Sequence, residues 1–305
     1  MVMAGASSGA RRLGYRVFGR AFDYILHLRP AEWPIVAAHV TLGALLARAA
    51  GPVPVADAAI GVALWVVCLN GGTLAINSAF DRDDGDIAYL RRPPTPPRHL
   101  FRAGLGLMLA GLATAVLLLP RGYVIAYAAC LAMSVAYSVP PVRLKSVAFA
   151  DWIINMIGFG ALTIYAGWAA TGHPVSRPGL IVLLAFCPLF AALYPLTQLY
   201  QADEDRRRGD RTLALRLGMR RSLDVAIAGA ACAFLMLAWA GWTAGWGLDG
   251  RWTLIVLAAG AWAWVLLPWR RTATSRTPAA HQRGMYLALA AWAVTDAAVL
   301  LAWLP

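Results

Sequence analysis

The chain has 305 residues, 60% of them apolar and 14% charged, with a formal net charge of +12. That balance is far from a soluble-domain mixture and makes a membrane protein the expected class. The four cysteines, Cys68, Cys130, Cys187 and Cys232, fall inside apolar stretches without paired spacing, which argues against a disulfide framework or a zinc site.

Residues 1–30 have arginines but no apolar core ending in a cleavage site, so they do not read as a secretory signal. Leu13, Val17, Phe18, Phe22, Ile25 and Leu26 interleave with Arg11, Arg12, Arg16 and Arg20, a pattern that predicts a basic amphipathic segment lying on the membrane. Apolar stretches come next at 32–50, 56–80, 103–119, 122–138, 149–171, 178–200, 222–244, 252–269 and 284–303. Most are long enough to cross a bilayer as a helix, which takes about 20 residues. The expectation is an all-α, polytopic domain spanning residues 1–305, with nine transmembrane helices around a central cavity.

Alternating the loops between two sides places all but Arg48, Arg121, Arg177 and Arg251 of the 27 Lys and Arg on one side. The positive-inside rule makes that side cytoplasmic, with the N-terminus inside. The basicity therefore reflects topology rather than nucleic-acid binding. The expected location is a bacterial inner or plasma membrane, with the site toward the cytoplasm. Trp33, Trp152 and Trp269 near inner ends, and Trp168, Trp242, Trp246, Trp252 and Trp303 near outer ends, read as interfacial anchors.

The second apolar stretch ends in NSAFDRDDGD, residues 77–86. Asn77, Asp81 and Asp84 stand at i, i+4 and i+7, so on a continuing helix their oxygens share one face, while Asp83 and Asp86 point elsewhere. The sixth stretch ends with Gln198, Gln201 and Asp205 at i, i+3 and i+7. The two acidic ends are four spans apart and so have the same orientation. Two sets of oxygen ligands at one membrane face suit a hard divalent cation, Mg2+ above all, which commonly takes one or two carboxylates and substrate phosphate oxygens. Arg143 and Lys145 in YSVPPVRLK, and Arg206–Arg208 with Arg211, are the nearby cations that could meet those oxygens. Solvated helix ends and topology-setting arginines are the plainer reading of each cluster alone. Asp151 and Asn155 read as either supporting groups or helix-end caps, and Asp296 is an intramembrane acid with no evident partner.

NSAFD, YSVPPVRLK, QADEDRRRGDRTLALRLG and, less specifically, LRPAEWP together resemble the UbiA superfamily of intramembrane prenyltransferases, of the 4-hydroxybenzoate polyprenyltransferase type, over essentially the whole chain. The first family motif is usually Asn-x-x-x-Asp-x-x-x-Asp and the second Asp-x-x-x-Asp. Here Gly85 stands at the third position of the first motif and Gln201 at the first position of the second. The resemblance implies Mg2+, an isoprenyl diphosphate and a hydrophobic acceptor, aromatic or a quinone precursor. It assigns metal and diphosphate binding to Asn77, Asp81 and Asp205, and diphosphate contacts to Arg143 and Lys145. Helical geometry offers Asp84 and Gln201 as replacements for the missing acids. Arg211 is a further diphosphate candidate, and Tyr137 and Gln198 are candidates for positioning substrate. A membrane terpene cyclase of the same superfamily, and a transporter with intramembrane acids, are the rival readings.

Overall fold

Apolar stretches in lipid must satisfy their backbone polar groups internally, and helices are the form that does so segment by segment. The computed structural model describes residues 8–81, 87, 90, 92–147, 149–202, 206 and 212–304. Among these the secondary structure is helical, apart from an isolated bridge between Ile87 and Leu90. The elements are α1 (Ser8–Phe18), α2 (Phe22–His27), α3 (Trp33–Ala49), α4 (Val55–Asp81), α5 (Leu100–Leu118), α6 (Arg121–Ser138), α7 (Ala150–Ala170), α8 (Arg177–Leu199), α9 (Leu213–Leu217), α10 (Met219–Thr243), α11 (Gly250–Arg271) and α12 (Pro278–Trp303).

Seven of these helices, α4, α5, α7, α8, α10, α11 and α12, are long and apolar enough to cross a membrane; α3 is apolar but shorter. The stretch at 122–138 is the helix α6. Local sequence explains several starts. Ser176 accepts the Gly179 N–H at 3.2 Å ahead of Pro178, Asp249 accepts Arg251 N–H at 2.9 Å, and Thr277 accepts Ala280 N–H at 3.3 Å ahead of Pro278.

Two packed seams form the interior. One joins α4, α5 and α6 through Trp65, Ile76, Met108, Tyr123 and Tyr127; the other joins α8, α10, α11 and α12 through Phe186, Leu196, Ala233, Trp262 and Val299. Helices α3 and α7 contribute to both. They can do so because their backbones nearly touch: a Cβ at Gly43 would overlap the Ile164 carbonyl, and one at Gly167 would overlap the Val40 carbonyl. Small residues at such crossings matter in lipid, where helix association relies on van der Waals contact rather than on apolar surface leaving water.

The helical reading of α4 and α7 misses a local feature. Leu64–Asn70 and Met156–Leu162 are π-helical, each turn taking in an extra residue and rotating the remainder of its helix. Thr163 fills the second π segment, donating to the Gly158 carbonyl at 2.9 Å and accepting the Trp65 indole N–H at 3.3 Å. Two tryptophans expected at the interface are instead inside the bundle. Trp168 donates to the His173 carbonyl at 3.1 Å and Trp269 to His281 Nδ1 at 2.9 Å, so burial costs them no hydrogen bond.

At the amino end, α1 leaves Leu13, Val17 and Phe18 exposed along with Arg12 and Arg16, as is Arg20 just after it. A proline-rich strap, residues 92–99, crosses beside α2, where Arg11 donates to the Arg92 carbonyl at 2.9 Å. His27 Nε2 lies 3.1 Å from the Pro94 carbonyl, an acceptor, so that nitrogen carries the proton. A cleft of about 380 Å³ between α2 and the strap is lined by Arg20, Asp23, Tyr24, Thr95 and Arg98.

Candidate active site

Helix α4 runs to Asp81, and its last turn presents Asn77 and Asp81 on one face, as their spacing requires. The segment after α6 folds back over that face. It carries the dipeptide Pro140-Pro141, an Arg143 with left-handed backbone (φ 35°, ψ 58°), and a short 3₁₀ turn, Leu144–Ser146. Left-handed geometry costs a non-glycine residue about 1–2 kcal/mol, and such outliers gather where a side chain must be aimed.

Here the aim is at α4. Lys145 Nζ donates to Asn77 Oδ1 at 2.6 Å and pairs with Asp81 Oδ1, and Arg143 Nη2 reaches the same Asp81 oxygen at 3.4 Å. Ser138 Oγ stands 3.5 Å from Asn77 Oδ1. Lys145 is 11% exposed and Asp81 21%, so the group is shielded yet open on one side. Arg143 Nε is buried without a hydrogen-bond partner, an unspent donor at the rim.

A further cation comes from before α3. Arg29, 7% exposed and also left-handed at φ 50°, points Nη2 at Ser78 Oγ, 3.4 Å away on the same turn of α4. LRPAEWP hinted at this arginine only as a weak motif; nothing in its spacing tells that it folds against residue 78. Among the described residues, two cations meet the Asp81 carboxylate and a third lies at Ser78, three positions earlier on α4.

The described donors fit a hard cation. Asn77 and Asp81 supply neutral and anionic oxygen, and the Lys145 ammonium already sits between them as a stand-in for positive charge. Among the described residues no group of three His, Cys, Asp or Glu forms a metal cluster. Asp84, Asp205 and Arg211 lie outside the described residues. Gln201 is half-buried in the turn that follows α8, its N–H bonded to the Gln198 carbonyl at 3.2 Å.

Gln198 and Tyr137 belong to a second buried network, built around Asp151. Pro195 has no N–H, so the Ala191 carbonyl lacks its helical donor, and the Trp152 indole takes that role at 3.0 Å, docking α7 onto α8. The adjoining Asp151, 1% exposed, accepts Tyr194 OH and Gln198 Nε2 on Oδ2, both at 3.3 Å, and Trp152 N–H on Oδ1 at 2.7 Å. Gln198 Oε1 accepts the Ala214 N–H at 3.1 Å, so both ends of this amide are engaged by the protein itself. Tyr137 OH lies 3.3 Å from Tyr194 OH and also bonds the Asn155 side chain. Asp296 also gains a neighbour: His39 Nδ1 of α3 is 3.7 Å from its Oδ1, beside the rings of Phe186 and Trp292. Aromatic rings meet in this seam, where the sequence leads one to expect an apolar chamber.

Long apolar helices with an oxygen-and-cation cluster at the end of α4 define a polytopic membrane protein. The sequence pattern of the UbiA prenyltransferase family matches residues 37–302, and the chain belongs to that family. No curated protein gives a significant match. Solved structures share the fold. A UbiA homologue from Archaeoglobus fulgidus bound to DMAPP and Mg2+ superposes with a TM-score of 0.64 at 19% identity, covering 90% of this chain and 99% of that one. The same homologue bound to GPP and Mg2+ gives 0.65 at 20%, covering 90% and 99%. A digeranylgeranylglyceryl phosphate synthase gives 0.68 at 13%, covering 92% and 97%.

Proposed function

We propose that the chain moves a prenyl group from an isoprenyl diphosphate to a hydrophobic acceptor, aromatic or a quinone precursor, within the membrane and with Mg2+. The observation that carries this reading is the convergence of Asn77, Asp81, Arg143 and Lys145 at the mouth of α4 in a chain of the UbiA family. Fold relatives from A. fulgidus that hold DMAPP or GPP with Mg2+ support it.

In this reading Asn77 and Asp81 face the metal, with Asp84, Gln201 and Asp205 as the remaining oxygen ligands. Mg2+, when bound, supplies Lewis-acid stabilisation of the departing diphosphate. Lys145, Arg143 and Arg211 meet the diphosphate oxygens, and Arg29 adds positive potential from behind α4. Apolar walls keep water from the allylic carbon once its bond to oxygen breaks. Tyr137 stands on the acceptor side. The site faces the cytoplasm, the side that carries most of the positive charge.

The test is incubation of the purified protein with Mg2+ and prenyl diphosphates of several chain lengths, with and without phenolic and quinol acceptors. Diphosphate release together with a prenylated acceptor supports transfer. A cyclic hydrocarbon formed without acceptor marks the cyclase reading, and unchanged substrate with counter-flow across vesicles marks a transporter.

A further inference from the structure

The proposed reaction must dispose of a proton. When the acceptor X–H attacks the prenyl carbon, the C–O bond breaks with its electron pair leaving on diphosphate, the C–X bond forms, and H+ must go somewhere dry. The structure points to a destination outside the oxygen-and-cation site. We propose that Tyr137, Tyr194 and Asp151 form a proton wire that takes this proton to Asp151; the identity of the proton donor rests on the transferase reading.

Hydrogen-bond direction carries the inference. Asp151 receives Trp152 N–H at 2.7 Å and Gln198 Nε2 at 3.3 Å, with Tyr194 OH also 3.3 Å from Oδ2, an arrangement that suits a carboxylate. With its hydrogen committed to Asp151, Tyr194 can only accept from Tyr137, 3.3 Å away. Tyr137 therefore spends its own hydrogen inward, and its oxygen is left to accept, already from the Asn155 amide. A tyrosine oriented this way accepts rather than donates.

Transfer then runs in three balanced hops: from X–H to the Tyr137 oxygen, from Tyr137 to Tyr194, and from Tyr194 to Asp151 Oδ2. Both tyrosines end neutral, and Asp151 alone gains a proton. The reverse path resets the carboxylate once product leaves and water reaches the mouth. Each O···O distance is longer than the ~2.7 Å of a mature O–H···O bond, the loosened geometry that catalytic networks show before substrate draws them in. Asn155, whose amide holds the Asp151 carbonyl at 2.8 Å, and Gln198, pinned at its other end by Ala214 N–H, fix the terminal group between α7 and α8.

A purely structural tie between those helices makes no demand on protonation, so the test reads it directly. The full chain in lipid vesicles is compared by infrared difference spectroscopy with Asp151→Asn at neutral pH. The wire requires that no protonated-carboxyl band be lost in the variant; a resting band that disappears with Asp151→Asn reverses the direction and overturns the proposal. On mixing with geranyl diphosphate, Mg2+ and 4-hydroxybenzoate, a protonated-carboxyl band should rise in the wild type and be missing in Tyr194→Phe, which keeps the ring and severs the wire. Product formation should fall about 100-fold in both variants, the usual worth of a placed base, while Mg2+-dependent geranyl diphosphate binding stays within about twofold. Asp151→Glu should recover part of the rate. Wild-type product formation by Tyr194→Phe overturns the wire even if Asp151→Asn does not fold. Absence of product from wild-type protein overturns the transferase reading instead, and the resting spectrum still decides the wire.

Discussion

Lys145 Nζ donates to Asn77 Oδ1 at 2.6 Å, joining the segment after α6 to the end of α4 across 68 residues. Because the same ammonium pairs with Asp81, it occupies the bay between the two oxygens that a divalent cation would share. In the proposed site lysine and metal would therefore compete for these oxygens. Lys145→Met is expected to bind Mn2+, used as the probe, more tightly than wild type in the absence of substrate. It should also lower kcat/KM by roughly 100-fold through loss of a charge facing the leaving group. Calorimetry and turnover check the two halves, and weaker Mn2+ binding would contradict the competition.

Arg29 reaches Ser78 Oγ at 3.4 Å from a buried, left-handed position, from which the proposed function has it act at a distance on the diphosphate. Its removal should weaken binding more than chemistry. Arg29→Gln is expected to raise KM for geranyl diphosphate by about tenfold and to leave kcat within a fewfold. Steady-state kinetics decide this; an unchanged KM would mean that the guanidinium serves packing alone.

Gly43 and Gly167 let α3 and α7 approach until carbonyls line up where side chains would be. Overfilling such a contact costs typically 1–3 kcal/mol and more when only backbone can yield. Gly167→Val should lower the thermal midpoint in detergent by several degrees, and Gly260→Val, at a position with open space around its Cα, should leave it unchanged. Equal midpoints for the two variants would refute the close crossing.

Burial pushes His27 below the ordinary histidine range, while its hydrogen bond to Pro94 opposes that shift. The neutral ring is thus favoured in the folded protein and the charged ring in the unfolded chain. Its contribution is fully present above the unfolded value of about 6.5 and is lost as pH falls from there through the lowered folded value. Proteolysis of the 92–99 strap should therefore speed up as pH drops below about 6.5. His27→Asn should flatten that dependence; a rate that rises with increasing pH would contradict the sign.

Much of this fold is legible in the sequence because lipid allows few solutions: an apolar stretch of the right length must become a helix. Asn77 and Asp81 are readable for a similarly local reason, since an i, i+4 pair on a helix shares a face whatever surrounds it. Contacts made over long separations are not. No spacing rule brings Lys145 to Asn77, Arg29 to Ser78 or Asp151 to Tyr194, 43 residues further on. The motif YSVPPVRLK suggested cations near phosphate, but the left-handed Arg143 that aims it appears only in three dimensions. Gln198 shows another long-range tie. Its position on a shared face with Gln201 suggested a role toward substrate, yet its amide is occupied by Asp151 and Ala214, groups invisible to helical periodicity. Trp168 and Trp269, read from the sequence as interfacial anchors, are buried with their N–H groups satisfied by His173 and His281.

Mg2+-dependent release of diphosphate from geranyl diphosphate, followed by phosphorus NMR in vesicles, tests the oxygen-and-cation site most directly. Wild-type protein should release diphosphate in the presence of a phenolic acceptor, stop on chelation and resume when Mg2+ is restored. Asp81→Ala should fold and release none. Release at the wild-type rate by Asp81→Ala, or release indifferent to chelation, would contradict a site in which Asp81 holds the metal.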